Sequence, residues 1–113
     1  PTAEQTDWGR IASLYAELAR IAPSPVVELN RAVAIAMAEG PAAGLALVET
    51  LANEPVLATS HLLPGVRADL LMKLGRLAEA QADFERAAAL TRNMRERQLL
   101  LERAATCANG IAV

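Results

Sequence analysis

The side chains that could do chemistry are few and far apart. The chain has one histidine, His61, and one cysteine, Cys107. A metal centre takes several His, Cys, Asp or Glu ligands, and one cysteine cannot build a disulfide framework. His61 reads as a surface or helix-start residue and Cys107 as an incidental thiol near the end of the chain. Glu79 and Asp83 are one helical turn apart, close enough to share acid–base work. That work needs the two carboxyls in distinct environments, and Glu85 and Arg86 beside them predict a solvated face instead. Neither Gly40-Pro41 nor Gly75-Arg76 has the longer glycine pattern of a phosphate loop. The expectation is a protein that is not an enzyme and has no cofactor and no metal.

Other polar residues suit structure or recognition. Asn30 and Arg31 sit inside the helical segment ELNRAVAIA. Asparagine is a poor interior helix former because its side chain competes for backbone bonds. Asn30 therefore either bonds to the preceding helix or the next loop, or faces a ligand. Arg67 and Asp69, in VRADLL, are further candidates for structural or interaction roles, and Asp69 is four residues before Lys73, ion-pair spacing on a helix. Charge is uneven: residues 1–60 hold 3 basic and 7 acidic side chains, residues 61–113 hold 8 and 6. Arg86, Arg92, Arg95, Arg97 and Arg103 cluster late. They form either a solvated face with helix-terminal arginines or a docking surface for an acidic protein. Asp83, Glu85, Glu96 and Glu102 interrupt the cluster and no aromatic lies among them, which argues against nucleic-acid binding.

These residues must be positioned by helices. The 113 residues include 25 Ala and 17 Leu against 7 Val and 4 Ile, and the net charge is −2. That is helix-forming stock with enough apolar content to exclude disorder. Trp8, Ile11, Leu14, Tyr15, Leu18 and Ile21 mark one face of a first helix over about 8–22, capped by Thr6 or Asp7. Ser24 and Pro25 start a second, which Gly40 ends near Glu39. Pro41 opens a third to about Ala52, where Gly44 implies a close helix crossing. A fourth begins near 57, 60 or 64 and runs to Leu74, stopped by Gly75. A fifth reaches about Leu90 with Leu77, Ala80, Phe84 and Ala87 on one side. Asn93 and Glu96 have capping-box spacing for a sixth, ending near Cys107. Residues 1–7 read as loose and 108–113 as frayed around one helical body, 8–107. Trp8, Tyr15 and Phe84 are the expected packing anchors. No apolar stretch approaches the roughly 20 residues of a membrane span, and no secretory signal is visible. A start at Pro1 without an initiator Met suggests an excised piece of a longer protein.

Gly40 and Gly75 each end a helix, 35 residues apart, and Leu45 and Ala80 follow at the same offset. The later unit, ADLLMKLGRLAEAQADFERAAAL, resembles the tetratricopeptide helix-turn-helix, with its repeat of about 34 residues. The fold expected is all-α: antiparallel hairpins stacked as a short right-handed tetratricopeptide-like array of five to six helices.

Over nearly its whole length the chain resembles one family more closely. PSPVVELNRAVA, EGPAAGL, RADLL and the segment Leu74–Ala80, in that order, are similar to the C-terminal extension of a group of bacterial extracytoplasmic-function RNA polymerase sigma factors. That resemblance implies a cytoplasmic, regulatory, protein-binding domain. Its partner would be the sigma regions of the same chain, the polymerase or another regulator, without direct DNA contact. A general peptide-binding adaptor and a spacer or homodimerisation unit are the alternatives.

Overall fold

The computed structural model of the chain describes residues 6–112. It is all-α, with six helices in the described residues: α1 (Trp8–Ile21), α2 (Pro25–Glu39), α3 (Pro41–Glu49), α4 (Leu62–Lys73), α5 (Leu77–Leu90) and α6 (Met94–Ala112), and a short 3-10 turn at Pro55–Leu57. The main packing partners are neighbours in the chain, from α1 on α2 through to α5 on α6. Such nearest-neighbour stacking gives a helical array. Its radius of gyration is 14.4 Å and its extents are 43 × 32 × 25 Å; a rounder chain of this length would have about 13 Å.

Local chemistry explains the joints. Asp7 caps α1 by accepting from the Arg10 N–H at 3.0 Å. Gly40, at φ 107°, ends α2 and leads directly into α3, and Gly75, at φ 78°, turns α4 into α5. Both angles lie where a Cβ is disfavoured. Ser24 precedes α2 but makes no side-chain capping bond. Pro64 falls inside the first turn of α4, where its missing N–H leaves no bond unmade, so the helix starts at Leu62, between the starting points the sequence allows. Half of the expected capping box forms at α6. Asn93 Oδ1 accepts from the Glu96 N–H at 3.0 Å, while the Glu96 carboxylate turns away to His61.

The core runs through α2 to α6. Phe84, Leu71, Val48 and Cys107 are its largest fully enclosed side chains. Gly44 sits where α3 crosses α2, as expected: a Cβ there would lie 2.6 Å from the Ala36 Cβ and 2.7 Å from the Ala32 carbonyl oxygen. Of the three expected anchors, Phe84 is fully buried, whereas Trp8 and Tyr15 are half-buried on α1, which has no buried residue at all.

The C-terminus differs from expectation. Asn109 and Gly110 read as a frayed end, yet α6 continues to Ala112. Gly110 lets it: the absent Cβ position is 2.6 Å from Leu77 Cδ1, so the start of α5 packs directly on this turn. Residues 1–5 and Val113 of the expected loose ends lie outside the described residues. Cys107 is therefore a core residue, 1% exposed, and burial pushes its thiol pKa up. Ellman's reagent should label it at least about 100-fold more slowly in native buffer than in denaturant. Equal rates would contradict this placement.

Candidate functional site

Arg67 joins three helices. From the middle of α4 its Nε donates to Glu49 Oε1, at the end of α3, at 2.5 Å, and its Nη1 donates to Asp83 Oδ2, on α5, at 2.6 Å. Glu79 is 3.8 Å from the same guanidinium and is held by Arg76 through two hydrogen bonds of 2.9 and 2.7 Å. The bond to Glu49 is the main influence holding the Arg67 pKa above its ordinary value; partial burial opposes it and Asp83 reinforces it. The hydrogen bond from Arg76 holds the Glu79 carboxyl below its usual range.

This corrects the expectation of a solvated face at Glu79 and Asp83. Glu79 is exposed, but Asp83 is buried. It falls on the same stripe as Ala80, Phe84 and Ala87, and a carboxylate on a buried stripe needs a partner. Arg67 supplies it. Replacing Arg67 with methionine should cost about 1–3 kcal/mol in urea unfolding, because Asp83 loses its counter-charge. Adding Asp83→Leu should recover most of the loss; a double variant as unstable as the sum of the two singles would contradict the pairing.

Asp69, two residues further along α4 and therefore on its other side, faces α6. Its carboxylate is 3.0 Å from Lys73 Nζ and 3.9 Å from Arg103 Nη1. At the other end of α4, His61 occupies the N-cap position and its Nε2 contacts Glu96 of α6. Arg97 closes the end of α5, donating to the carbonyls of Ala88 at 3.0 Å and Thr91 at 2.8 Å. The structure thus brings Arg67 and Asp69 into bracing networks on different sides of α4. It does not bring Asn30 to them. Asn30 is exposed on α2 and no side-chain hydrogen bond joins it to a neighbour in the described residues, while Arg31 pairs locally with Glu28 at 3.2 Å.

A groove of about 330 Å³ opens between α2, α4 and α6. Val33 and Met37 line it from α2, Val66 and Leu70 from α4, and Leu100 from α6; Phe84 also borders it. Its charged rim is His61 with Glu96 towards one end of α4, and Asp69 with Lys73 and Arg103 towards the other. The lining is mostly apolar, and Val33, Met37 and Leu62 are exposed there at 37%, 43% and 49%. An apolar cleft with a few charged groups at its ends suits recognition of a partner's side chains. The α2 pattern held a signal for it: Val33 and Met37 share a helix face with Leu29, but only Leu29 is covered. In the described residues, no group of three His, Cys, Asp or Glu is placed to hold a metal ion. No helix in them is long and apolar enough to cross a membrane.

The chain is 50% identical over 93 residues to an uncharacterized protein of Rhizobium meliloti (strain 1021). The match covers 82% of this chain and 22% of that protein, so the chain spans about a fifth of its relative's length. No family model and no solved structure matches the chain.

Proposed function

We propose that the chain is a non-catalytic protein-interaction domain with a regulatory role, carried by an extracytoplasmic-function RNA polymerase sigma factor. The open apolar groove between α2, α4 and α6 carries the interaction half of this reading. A helical array with such a groove recognises a partner by shape and burial and needs no catalytic residue. The regulatory half rests on the resemblance of the sequence segments. In this reading the partner is a protein: the sigma regions of the same chain, the polymerase, or another regulator. The domain works in the cytoplasm and leaves DNA contact to the sigma regions.

The test is transcription by the sigma factor that carries these residues, reconstituted with RNA polymerase on its own promoter. Met37→Glu with Leu62→Glu places charge in the groove at two exposed positions, so the fold should persist. Transcription should change at least several-fold. Unchanged transcription, with native circular dichroism, would contradict the regulatory role of the groove.

A second reading, a dimerisation unit, is favoured by one observation. Leu14, Leu18 and Ile21 share a face of α1 and are 60%, 44% and 68% exposed. A dimer built on that face would dissociate on Leu18→Glu in sedimentation velocity. A monomer at all concentrations would remove this reading.

A further inference from the structure

Gly65 is a glycine inside α4 that lines the groove. Glycine in a helix lowers stability relative to alanine, so its position asks for a reason. At two other helical glycines the reason is a crossing element. The Cβ position of Gly44 is filled by Ala32 and Ala36 of α2, and that of Gly110 by Leu77 of α5. At Gly65 a Cβ would meet nothing within 4 Å. The groove therefore leaves the α4 backbone uncovered at Gly65.

The charges around the groove favour one kind of occupant. At the end near Lys73, the Asp69 carboxylate serves both Lys73 and Arg103, which leaves one cation in excess. At the other end the Glu96 carboxylate contacts His61. Apolar residues lie between the two ends. We infer that the groove receives an amphipathic helix of a partner protein, apolar where it meets Gly65 and acidic at the end where it meets Lys73 and Arg103. This rests on the interaction reading above and specifies its ligand class. A helix seated in a groove presents anchors at i, i+3 or i+4, and i+7, and opposite charge at the rim sets its register.

Selection of a random phage-displayed library of peptides of about 14 residues on the 113-residue chain tests the inference. Enriched peptides should carry apolar residues at that helical spacing and Asp or Glu at one end. Gly65→Ala should raise the melting temperature by about 2–6 °C, since the methyl enters open space and favours helix. The same change should weaken the selected peptides about tenfold, because it blocks a close approach there. Lys73→Ala with Arg103→Ala should weaken them further and reduce the salt dependence of binding. No enrichment, enrichment of peptides without acids, or equal binding to the Gly65→Ala variant would each overturn the inference. Peptides that bind α1 instead would overturn it while leaving an interaction domain standing. Failure of the transcription test with peptide binding intact would remove only the regulatory reading.

Discussion

Replacing Phe84 with alanine should destabilise the chain by about 3–5 kcal/mol, the range for deleting a buried aromatic ring. Phe84 is 0% exposed and is the largest of the fully enclosed side chains. It stands in the middle of α5, between the Asp83 contact to α4 and the Ala87–Ala88 surface. On one side it fills the core and on the other it borders the groove. Its loss would remove packing from the array's centre and enlarge the cleft towards α5. In guanidinium unfolding the midpoint should fall with little change in slope, because the surface exposed on unfolding hardly changes. Phe84→Leu keeps more of the volume and should cost clearly less. An alanine variant within about 1 kcal/mol of the parent would show that the centre of the array is not packed as described.

The second large effect is Gly44→Val, which should cost about 3 kcal/mol or more. Alanine at this position would already place its methyl 2.6 Å from Ala36 Cβ and 2.7 Å from the Ala32 carbonyl oxygen. The neighbours are backbone and a short side chain, so neither can swing aside. Helices α2 and α3 must separate, and separation also disturbs Leu45 and Val48, both buried on α3. Overpacking of this kind costs about 1–3 kcal/mol, and occasionally more; valine adds bulk and a rotamer restriction in the helix. Gly65→Ala is its counterpart. The same class of substitution is expected to stabilise there, because the space is empty. A melting-temperature series over Gly44→Ala, Gly44→Val and Gly65→Ala would show opposite signs at the two positions. The same sign at both would contradict the different surroundings assigned to them.

Much of the fold was readable because its signals are local. In α5 the apolar residues recur at three and four, the turn before it has a glycine, and the stripe is buried where the spacing places it. Gly44 was readable for a related reason: a glycine inside a helix is costly, a close crossing would account for it, and α2 is the next helix back. The fourth helix was harder. Its residues LLPGVRADLLMK are apolar on several sides, because α3 and α5 pack on it and the groove exposes part of it. No single stripe marks its start. The α1 stripe shows the complementary difficulty. Periodicity tells which residues share a face, and it does not tell what covers that face. Leu14 and Ile21 repeat as core residues do and are nonetheless exposed.

The polar sites divide in the same way. Asp69 and Lys73 are four residues apart on one helix, and they pair as that spacing implies. Arg67 was identifiable as a candidate, but its partners Glu49 and Asp83 are 18 and 16 residues away on other helices. Only the stacking of α3, α4 and α5 brings them together. Asp83 carried half the signal, being a carboxylate on a stripe that is otherwise apolar. The groove carried only the partial signal of Val33 and Met37 on α2, since three helices and a charged rim from two of them define it. Asn30 drew attention through its poor helix propensity, yet it faces solvent.

In the function proposed above, the cleft between α2, α4 and α6 is where this chain meets its partner. Backbone amide shifts test it most directly, with the nitrogen-15-labelled chain titrated with the acidic amphipathic peptide obtained by selection. The expected shifts concentrate at Val33, Met37, Gly65, Val66, Leu100 and Arg103, and Gly65→Ala removes most of them at equal peptide concentration. Shifts confined to Leu14, Leu18 and Ile21 on α1, or spread evenly over all six helices, would contradict the claim.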